Sequence, residues 1–246
     1  MSMLKLAALA AAAAVARATA AATASDELAA APYRNAALPV PARVADLLAR
    51  MTPAEKVAQL WTRESDARLE ADCLATGIGG ANIANARGAT PAARLAARNA
   101  IQAACGKNRL GVPISFFEEG LHGGAAGGTV YPMPPTTACS WNVTLAAAIG
   151  AAIADEARGA GVDNVWSPVV NMWTDDRFGR FQEGFSPDAT LTSHFGRALV
   201  TGLQGGASSQ DDYLPGSASE SVWSTAKHFA GCALSARHTA PAPVRP

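Results

Sequence analysis

The stretch Asn164-Val-Trp-Ser-Pro-Val-Val-Asn-Met-Trp-Thr-Asp-Asp-Arg-Phe-Gly-Arg-Phe-Gln-Glu183 changes character half-way along. Its first half, rich in Val, Trp and Met, suits a strand covered on both faces of a parallel α/β sheet, where apolar residues need not alternate with polar ones. Its second half is crowded with carboxylates, guanidiniums and aromatics, the composition of a loop at the carboxyl end of such a strand. In parallel sheets that end holds the ligand.

The neighbouring segments repeat the arrangement. Gly77 to Ala84 reads as a first strand, and Thr90-Pro91 caps a helix that runs to about Gly106. Leu110 to Phe117 reads as a second strand, ending in Glu118, Glu119 and His122. Asn142 or Thr144 caps a long Ala-rich helix to about Ala160, and the quoted strand comes third. Pro187 to Leu203 is a further helix, and Ser221 to Ala226 a fourth strand that ends in Lys227 and His228. Strands and helices in alternation call for a parallel sheet with right-handed crossovers. Upstream, Ala42 to Trp61 has helical spacing of apolar residues. Thr52-Pro53-Ala54-Glu55 splits it into a helical hairpin, with Thr as cap, Pro in the first turn and Glu at the third position.

Composition narrows the class of partner. At 246 residues and 49% hydrophobic, the chain can bury one substantial core. Its 20 basic and 20 acidic residues cancel without forming a block of one sign, so nothing attracts nucleic acid or an anionic membrane. Residues 1–24 carry Lys5, an Ala/Leu-rich run and the small-residue patterns Ala18-Thr19-Ala20 and Ala22-Thr23-Ala24, the layout of a secretory signal peptide. An Ala-biased leader or a transit peptide fits the same residues. The run is too short and too Ala-rich to favour a spanning helix. The expected location is therefore secreted, extracellular or lumenal, with no membrane association after cleavage, and residues 25–41 are a linker. Asn142-Val143-Thr144 adds a glycosylation acceptor pattern.

Cys73, Cys105, Cys139 and Cys232 are far apart, without a C-x-x-C pair or a His at zinc-ligand spacing, so a structural metal is not expected. One or two disulfides and buried free thiols both fit. There is no G-x-G-x-x-G, no G-x-x-x-x-G-K-[ST] and no G-x-S-x-G. Instead, three strand ends carry Glu119/His122, Asp175/Asp176/Arg177/Arg180 and Lys227/His228 beside aromatic and glycine residues. Each cluster alone would be an ion-paired surface turn or a structural histidine. Together they supply what a hydroxyl-rich ligand needs, namely charged partners for hydroxyls and apolar faces for ring C–H groups.

Several segments carry a specific resemblance. They are Glu119-Gly-Leu-His-Gly123, Thr129-Val-Tyr-Pro132, Ser140-Trp-Asn142, Asp155-Glu-Ala-Arg158, Ser167-Pro-Val-Val-Asn171, Asp176-Arg-Phe-Gly-Arg180 with Glu183, Gly202-Leu-Gln-Gly205 and Lys227-His-Phe-Ala-Gly231. In this order and spacing they resemble the N-terminal barrel domain of glycoside hydrolase family 3, which includes β-glucosidases and β-xylosidases. The likeness runs from about Pro41 to Gly231.

The resemblance implies an α/β fold, an incomplete (β/α)8 TIM-like barrel of about the first four βα units in residues 42–231, with residues 232–246 as a tail. It implies that Glu119, Arg180, Lys227 and His228 bind the non-reducing sugar of a β-linked oligosaccharide or glycoside. His122, Asp176, Arg177 and Glu183 are structural residues near the site; Asp176 and Glu183 brace the loop by pairing with Arg177 or Arg180. Retaining hydrolysis takes two carboxyl groups about 5–5.5 Å apart, a nucleophile and an acid/base, and requires no metal or organic cofactor. In the family the nucleophile lies downstream of the Lys-His motif and the acid/base usually in a following domain, so this chain is expected to keep the sugar-binding residues and lack both catalytic carboxylates. A non-catalytic carbohydrate-binding or degenerate fragment is the alternative. Phe178 stands where the family usually has Trp, and Ser186-Pro-Asp-Ala189 replaces a common Gly-Glu-Asp-Pro. Four strands do not close a barrel, which exposes edges suited to self-association.

Overall fold

Five short strands line up in the order in which the chain makes them. They are β1 (Thr62–Glu64), β2 (Gly80–Asn82), β3 (Ser115–Glu118), β4 (Asn164–Val165) and β5 (Trp223–Ser224), each parallel to its neighbours. A doubly wound sheet reverses its strand order at a switch point, whereas the described strands keep chain order, the order that strands also have in a (β/α) barrel. The structure, a computed structural model, describes residues 27–64, 68–82, 90–124, 127–173, 178–206, 221–229 and 232. The signal peptide, Asp175, Asp176, Arg177 and most of the tail lie outside the described residues.

Two sequence expectations need correction. Among the described residues the sheet has five strands rather than four, because Thr62-Arg-Glu64 pairs with Gly80-Ala-Asn82. A three-residue polar segment has no apolar pattern by which to announce itself. The strand in the quoted stretch is also shorter than its apolar run. Only Asn164 and Val165 join the ladder, and Trp166 N adds one more bond, donating to Glu118 O at 3.0 Å. Beyond Trp166 the apolar residues pack into a loop, with a cis Ser167–Pro168 peptide.

The helices begin where their caps dictate. They are α1 (Val40–Arg50), α2 (Pro53–Ala58), α3 (Leu69–Thr76), α4 (Pro91–Cys105), α5 (Pro134–Ala138), α6 (Val143–Gly159) and α7 (Ala189–Leu203). Thr52 and Glu55 close a reciprocal capping box on α2; Thr90, Asn142 and Asp188 cap α4, α6 and α7. The hairpin α1–α2 forms as expected, yet much of its apolar pattern faces outward: Val57 is 67% and Leu60 87% exposed. Met51 is buried.

The larger core lies between the sheet and the α6–α7 pair, around Ile153, Val162, Val165, Phe185, Phe195, Leu199, Leu203 and Val222. The two helices touch backbone to backbone: a methyl group on Gly202 would lie 2.1 Å from Ala147 O, and one on Gly150 2.6 Å from Leu199 O. Interiors packed to crystal density leave no room for either. A second cluster, around Ile78, Ala81, Ile114 and Phe116, encloses the disulfide Cys73–Cys105, which ties α3 to α4; Cys139 and Cys232 are free thiols. Among the described residues no helix is long and apolar enough to cross a membrane.

Candidate functional site

The carboxyl ends of β3, β4 and β5 meet through the loop that follows β4. Val169 bridges to both Gly184 and Lys227, Lys227 N donates to Pro168 O at 3.0 Å, and Val170 N donates to Lys227 O at 3.0 Å. Two neighbouring residues, Lys227 and His228, are thereby fixed against the loop that carries Arg180 and Glu183. The Lys227–His228 peptide is cis.

Two ion pairs face the site. Lys227 Nζ donates to Glu119 Oε1 at 2.8 Å and Oε2 at 2.6 Å, joining the end of β3 to the end of β5. The same ammonium lies 5.9 Å from the centre of the Trp166 ring, and Trp166 stacks on Phe117 at 4.4 Å. Arg180 grips Glu183 with both arms of its guanidinium: Nε donates to Oε1 and Nη2 to Oε2, each at 2.6 Å. Such forked pairs fix orientation as well as adding energy.

His228 links the two halves. Its backbone N–H donates to Asn171 Oδ1 at 3.0 Å, and its ring Nδ1 lies 2.9 Å from the same oxygen. Nε2 lies 3.0 Å from Arg180 Nη2. A guanidinium only donates and an amide oxygen only accepts. The ring is therefore neutral, with its proton on Nδ1 and its Nε2 lone pair turned to Arg180. Burial, followed by the nearby Arg180 and Lys227 cations, holds the imidazole below its usual 6.5. Burial works to raise the Glu183 carboxyl, but Arg180, with help from Lys227 and His228, brings it below its usual range. The hydrogen bond that Arg180 donates to Glu183 leads the interactions that raise Arg180, and Glu119 adds to them. The four charges thus share one field.

A third pair supports this layer from beneath. Arg98 on α4 and Glu118 on β3 are both 2% exposed, and Arg98 Nη2 donates to Glu118 Oε1 at 2.8 Å. Arg98 also donates to Ala160 O at the end of α6 and lies over the Phe116 ring. Glu118 is thus fixed in place immediately before Glu119.

Of the site residues expected from sequence, Glu119, Lys227, Arg180, Glu183 and His228 come together. His122 stands apart from the charges: Nδ1 lies 2.9 Å from Tyr131 O, and Tyr131 N donates back to His122 O at 2.7 Å, which closes the loop between them. Among the described residues, Arg180 is the partner of Glu183. Sequence reasoning gave no role to Asn171, although the residue stood in a quoted motif, nor to Trp166 and Arg98. An arginine at position 98 of an Ala-rich amphipathic helix carries no mark of burial.

An in-order parallel sheet with charged and aromatic residues fixed at its carboxyl ends defines an α/β domain with a polar site at those ends. The chain belongs to glycoside hydrolase family 3: residues 52–245 match the description "Glycosyl hydrolase family 3 N terminal domain". A putative beta-xylosidase of Formosa agariphila is 32% identical over 214 residues, which cover 81% of this chain and 27% of that one. The periplasmic beta-glucosidase of Salmonella typhimurium is 36% identical over 123 residues, covering 50% and 15%. Among solved structures, a β-glucosidase from Erythrobacter marinus superposes with a TM-score of 0.69 at 33% identity, covering 82% of this chain and 27% of that one. The chain therefore spans about a quarter or less of the length of these relatives.

Proposed function

We propose that this chain forms the sugar-binding part of an exo-acting, retaining β-glycosidase of the β-glucosidase/β-xylosidase type. The observation that carries this reading is the convergence of Glu119, Lys227, Arg180 and His228 on one face, each fixed by partners. Glu119 accepts hydrogen bonds from sugar hydroxyls, and Lys227, beside it, donates to them. Arg180, held by Glu183, places its guanidinium on the same face, while neutral His228 stays hydrogen-bonded to Asn171 and keeps that guanidinium in register. Charge-assisted bonds of this kind are roughly twice as strong as neutral ones. They also strengthen as the sugar ring flattens toward an oxocarbenium-like state.

Bond cleavage needs one carboxylate free to attack and a second carboxyl free to give and take a proton. Glu118, Glu119 and Glu183 are each bound to a cation. A carboxylate engaged in this way suits binding and bracing better than acid catalysis. The nucleophile and the acid/base accordingly belong to parts of the enzyme other than these residues. Residues 42–231 are the partial barrel domain, residues 1–24 direct secretion, and the substrate is a terminal β-linked glucoside or xyloside.

Calorimetric titration of the 246-residue chain with methyl β-D-glucoside and methyl β-D-xyloside tests the reading. Binding of at least one is expected, with a loss of roughly tenfold or more in Glu119→Gln, since leaving one partner of a charged pair unmatched costs about 1–3 kcal/mol. No release of 4-nitrophenol from aryl glycosides is expected. Steady turnover by this chain, or the absence of binding to either sugar, would refute the assignment.

A further inference from the structure

Asn142-Val143-Thr144 is the chain's one N-x-[ST] triplet, and the fold puts it where an acceptor has to be. Such a triplet takes an oligosaccharide on a surface segment of a secreted protein. Every residue from Cys139 to Leu145 is exposed. The triplet opens α6, just after the turn that leads from α5. Ser140 fixes that turn: its hydroxyl donates to Thr137 O at 2.6 Å and accepts from Asn142 N at 3.1 Å. The helix cap then leaves the acceptor atom free. Asn142 Oδ1 accepts from Leu145 N at 3.1 Å, the capping bond of α6. The amide nitrogen is a separate group with its own two N–H donors. Among the described residues, neither Asn142 Nδ2 nor the Thr144 hydroxyl has a hydrogen-bond partner. One residue therefore starts the helix with its oxygen and keeps its nitrogen for another bond.

The surroundings of the acceptor are apolar and open. Trp141, immediately before it, is 77% exposed and has a φ of 55°, a backbone region that bulky side chains rarely adopt. Val143 and Leu145 are exposed as well, so three large apolar side chains meet water within five positions. A groove of about 360 Å³, lined by Tyr131, Pro132, Leu145 and Ile149 among others, adjoins the same turn of α6. Apolar patches of this kind, set among polar residues, mark surfaces that something covers. An occupant here needs a C–H face for the Trp141 ring and an anchor next to it. A sugar attached to Asn142 supplies both.

We propose that Asn142 is an N-glycosylation site whose first N-acetylglucosamine lies against Trp141. The step joins Asn142 Nδ2 to the anomeric carbon of a lipid-linked oligosaccharyl diphosphate. The carbon–oxygen bond to the diphosphate breaks, and the lipid diphosphate leaves with the electron pair. Nδ2 gives up one proton, which the diphosphate or solvent takes. The proposal rests on residues 1–24 directing secretion, because the donor and its transferase belong to that route. It assigns a modification to the start of α6 rather than to the strand ends that hold the sugar site.

The test expresses the 246-residue chain in a eukaryotic secretory host, once with its own N-terminus and once with the host's leader in place of residues 1–24. Release of N-glycans by an amidase, which turns the carrier Asn into Asp, should lower the mass by one glycan and mark Asn142 in the peptide map. Asn142→Asp and Thr144→Ala should fold without a glycan, since both keep a capping side chain on α6. A glycan on the leader-exchanged chain alone overturns secretion by residues 1–24 and keeps the acceptor. A chain that leaves the host behind its leader without a glycan overturns the acceptor. The contact with Trp141 is read from melting. The form trimmed to a single N-acetylglucosamine should melt about 1–6 °C above Asn142→Asp, the effect of covering one aromatic face in a chain of this size. In Trp141→Ala the same comparison should show no gap. A gap that persists there, or its absence in the wild type, overturns the contact and leaves the acceptor standing.

Discussion

Arg180 Nη2 and His228 Nε2 are 3.0 Å apart, so a permanent cation sits on the one ring nitrogen of His228 that is free to take a proton. Protonation would set two positive groups face to face in a half-buried site. The histidine is neutral at pH 7, with its pKa below 6.5. The unfolded chain, with an ordinary histidine, takes up its proton first as the pH falls. The stability contributed by neutral His228 is thus complete above about 6.5 and is lost as the pH drops from there through the folded-state value. Imidazole NMR should show the Nδ1–H tautomer at pH 7. In Arg180→Ala the His228 pKa should rise, because the nearer of its two opposing cations is gone and Glu183 is left to favour the charged ring. An unchanged or lower value would refute the coupling.

Glu119 and Lys227 separate binding from stability. Lys227 is largely covered, but the Glu119 carboxylate is 47% exposed, so solvent screens the pair. Exposed pairs contribute at most about 1 kcal/mol. Lys227→Met should shift the denaturant midpoint only slightly, yet weaken sugar binding about tenfold or more, since the hydroxyl partner disappears. A large loss of stability with unchanged affinity would make the pair structural.

The site was legible in the sequence where its residues bear charge and end a strand. Glu119, Arg180, Lys227 and His228 could be read because each follows an apolar run and adjoins glycine or an aromatic residue. The helix starts were legible for a similar reason, since Thr52, Thr90 and Asn142 use side chains to satisfy backbone donors next to them. Strand β1 was not legible, because its three polar residues are held by their neighbour's backbone. The extent of β4 was overestimated because Val169 and Val170 are apolar for packing and bridging rather than for a continuous ladder. Arg98 was invisible because its partner Glu118 is twenty positions away and pairs with it only in three dimensions.

The buried Arg98–Glu118 pair makes a prediction in two parts. Arg98→Ala leaves a carboxylate without its cation in the interior and should cost about 3–5 kcal/mol in denaturant unfolding. Replacing both residues, as in Arg98→Met with Glu118→Leu, should recover most of that loss, because two apolar side chains of similar size carry no desolvation penalty. Failure of the double variant to recover stability would show that Arg98 matters chiefly through Ala160 O and the end of α6 rather than through Glu118.

The Cys73–Cys105 bond closes a loop with a sequence separation of 32 and sits inside the smaller core cluster. A cross-link over a loop of that size stabilises by about 3–4 kcal/mol, chiefly by restricting the unfolded chain. Thermal unfolding with and without a reductant, and of Cys73→Ser with Cys105→Ser, should show a matching drop in Tm. If reductant has no effect on the wild type while a thiol assay counts four free cysteines, the bond is absent in solution.

Acid stability should depend on Glu55, far from the sugar site. Its carboxylate closes the capping box with Thr52 N at 2.8 Å and takes a forked pair from Arg109, Nε to Oε1 at 2.9 Å and Nη2 to Oε2 at 2.6 Å. Arg109 also donates to Arg50 O at 2.9 Å, so the pair fastens the junction of α1 and α2 to the segment before β3. The hydrogen bond from Arg109 leads the interactions that bring the Glu55 pKa from 4.5 down to about 2, against the opposing cost of burial. The unfolded chain therefore binds a proton before the folded one does. The stabilisation is complete above about pH 4.5 and is lost as the pH falls toward about 2. Glu55→Gln should lower stability at pH 7 by about 1–3 kcal/mol and flatten the pH dependence across that window. Unfolding free energies measured at several pH values check both effects, and a wild-type curve already flat between those limits would show that Arg109 does not hold the carboxylate in solution.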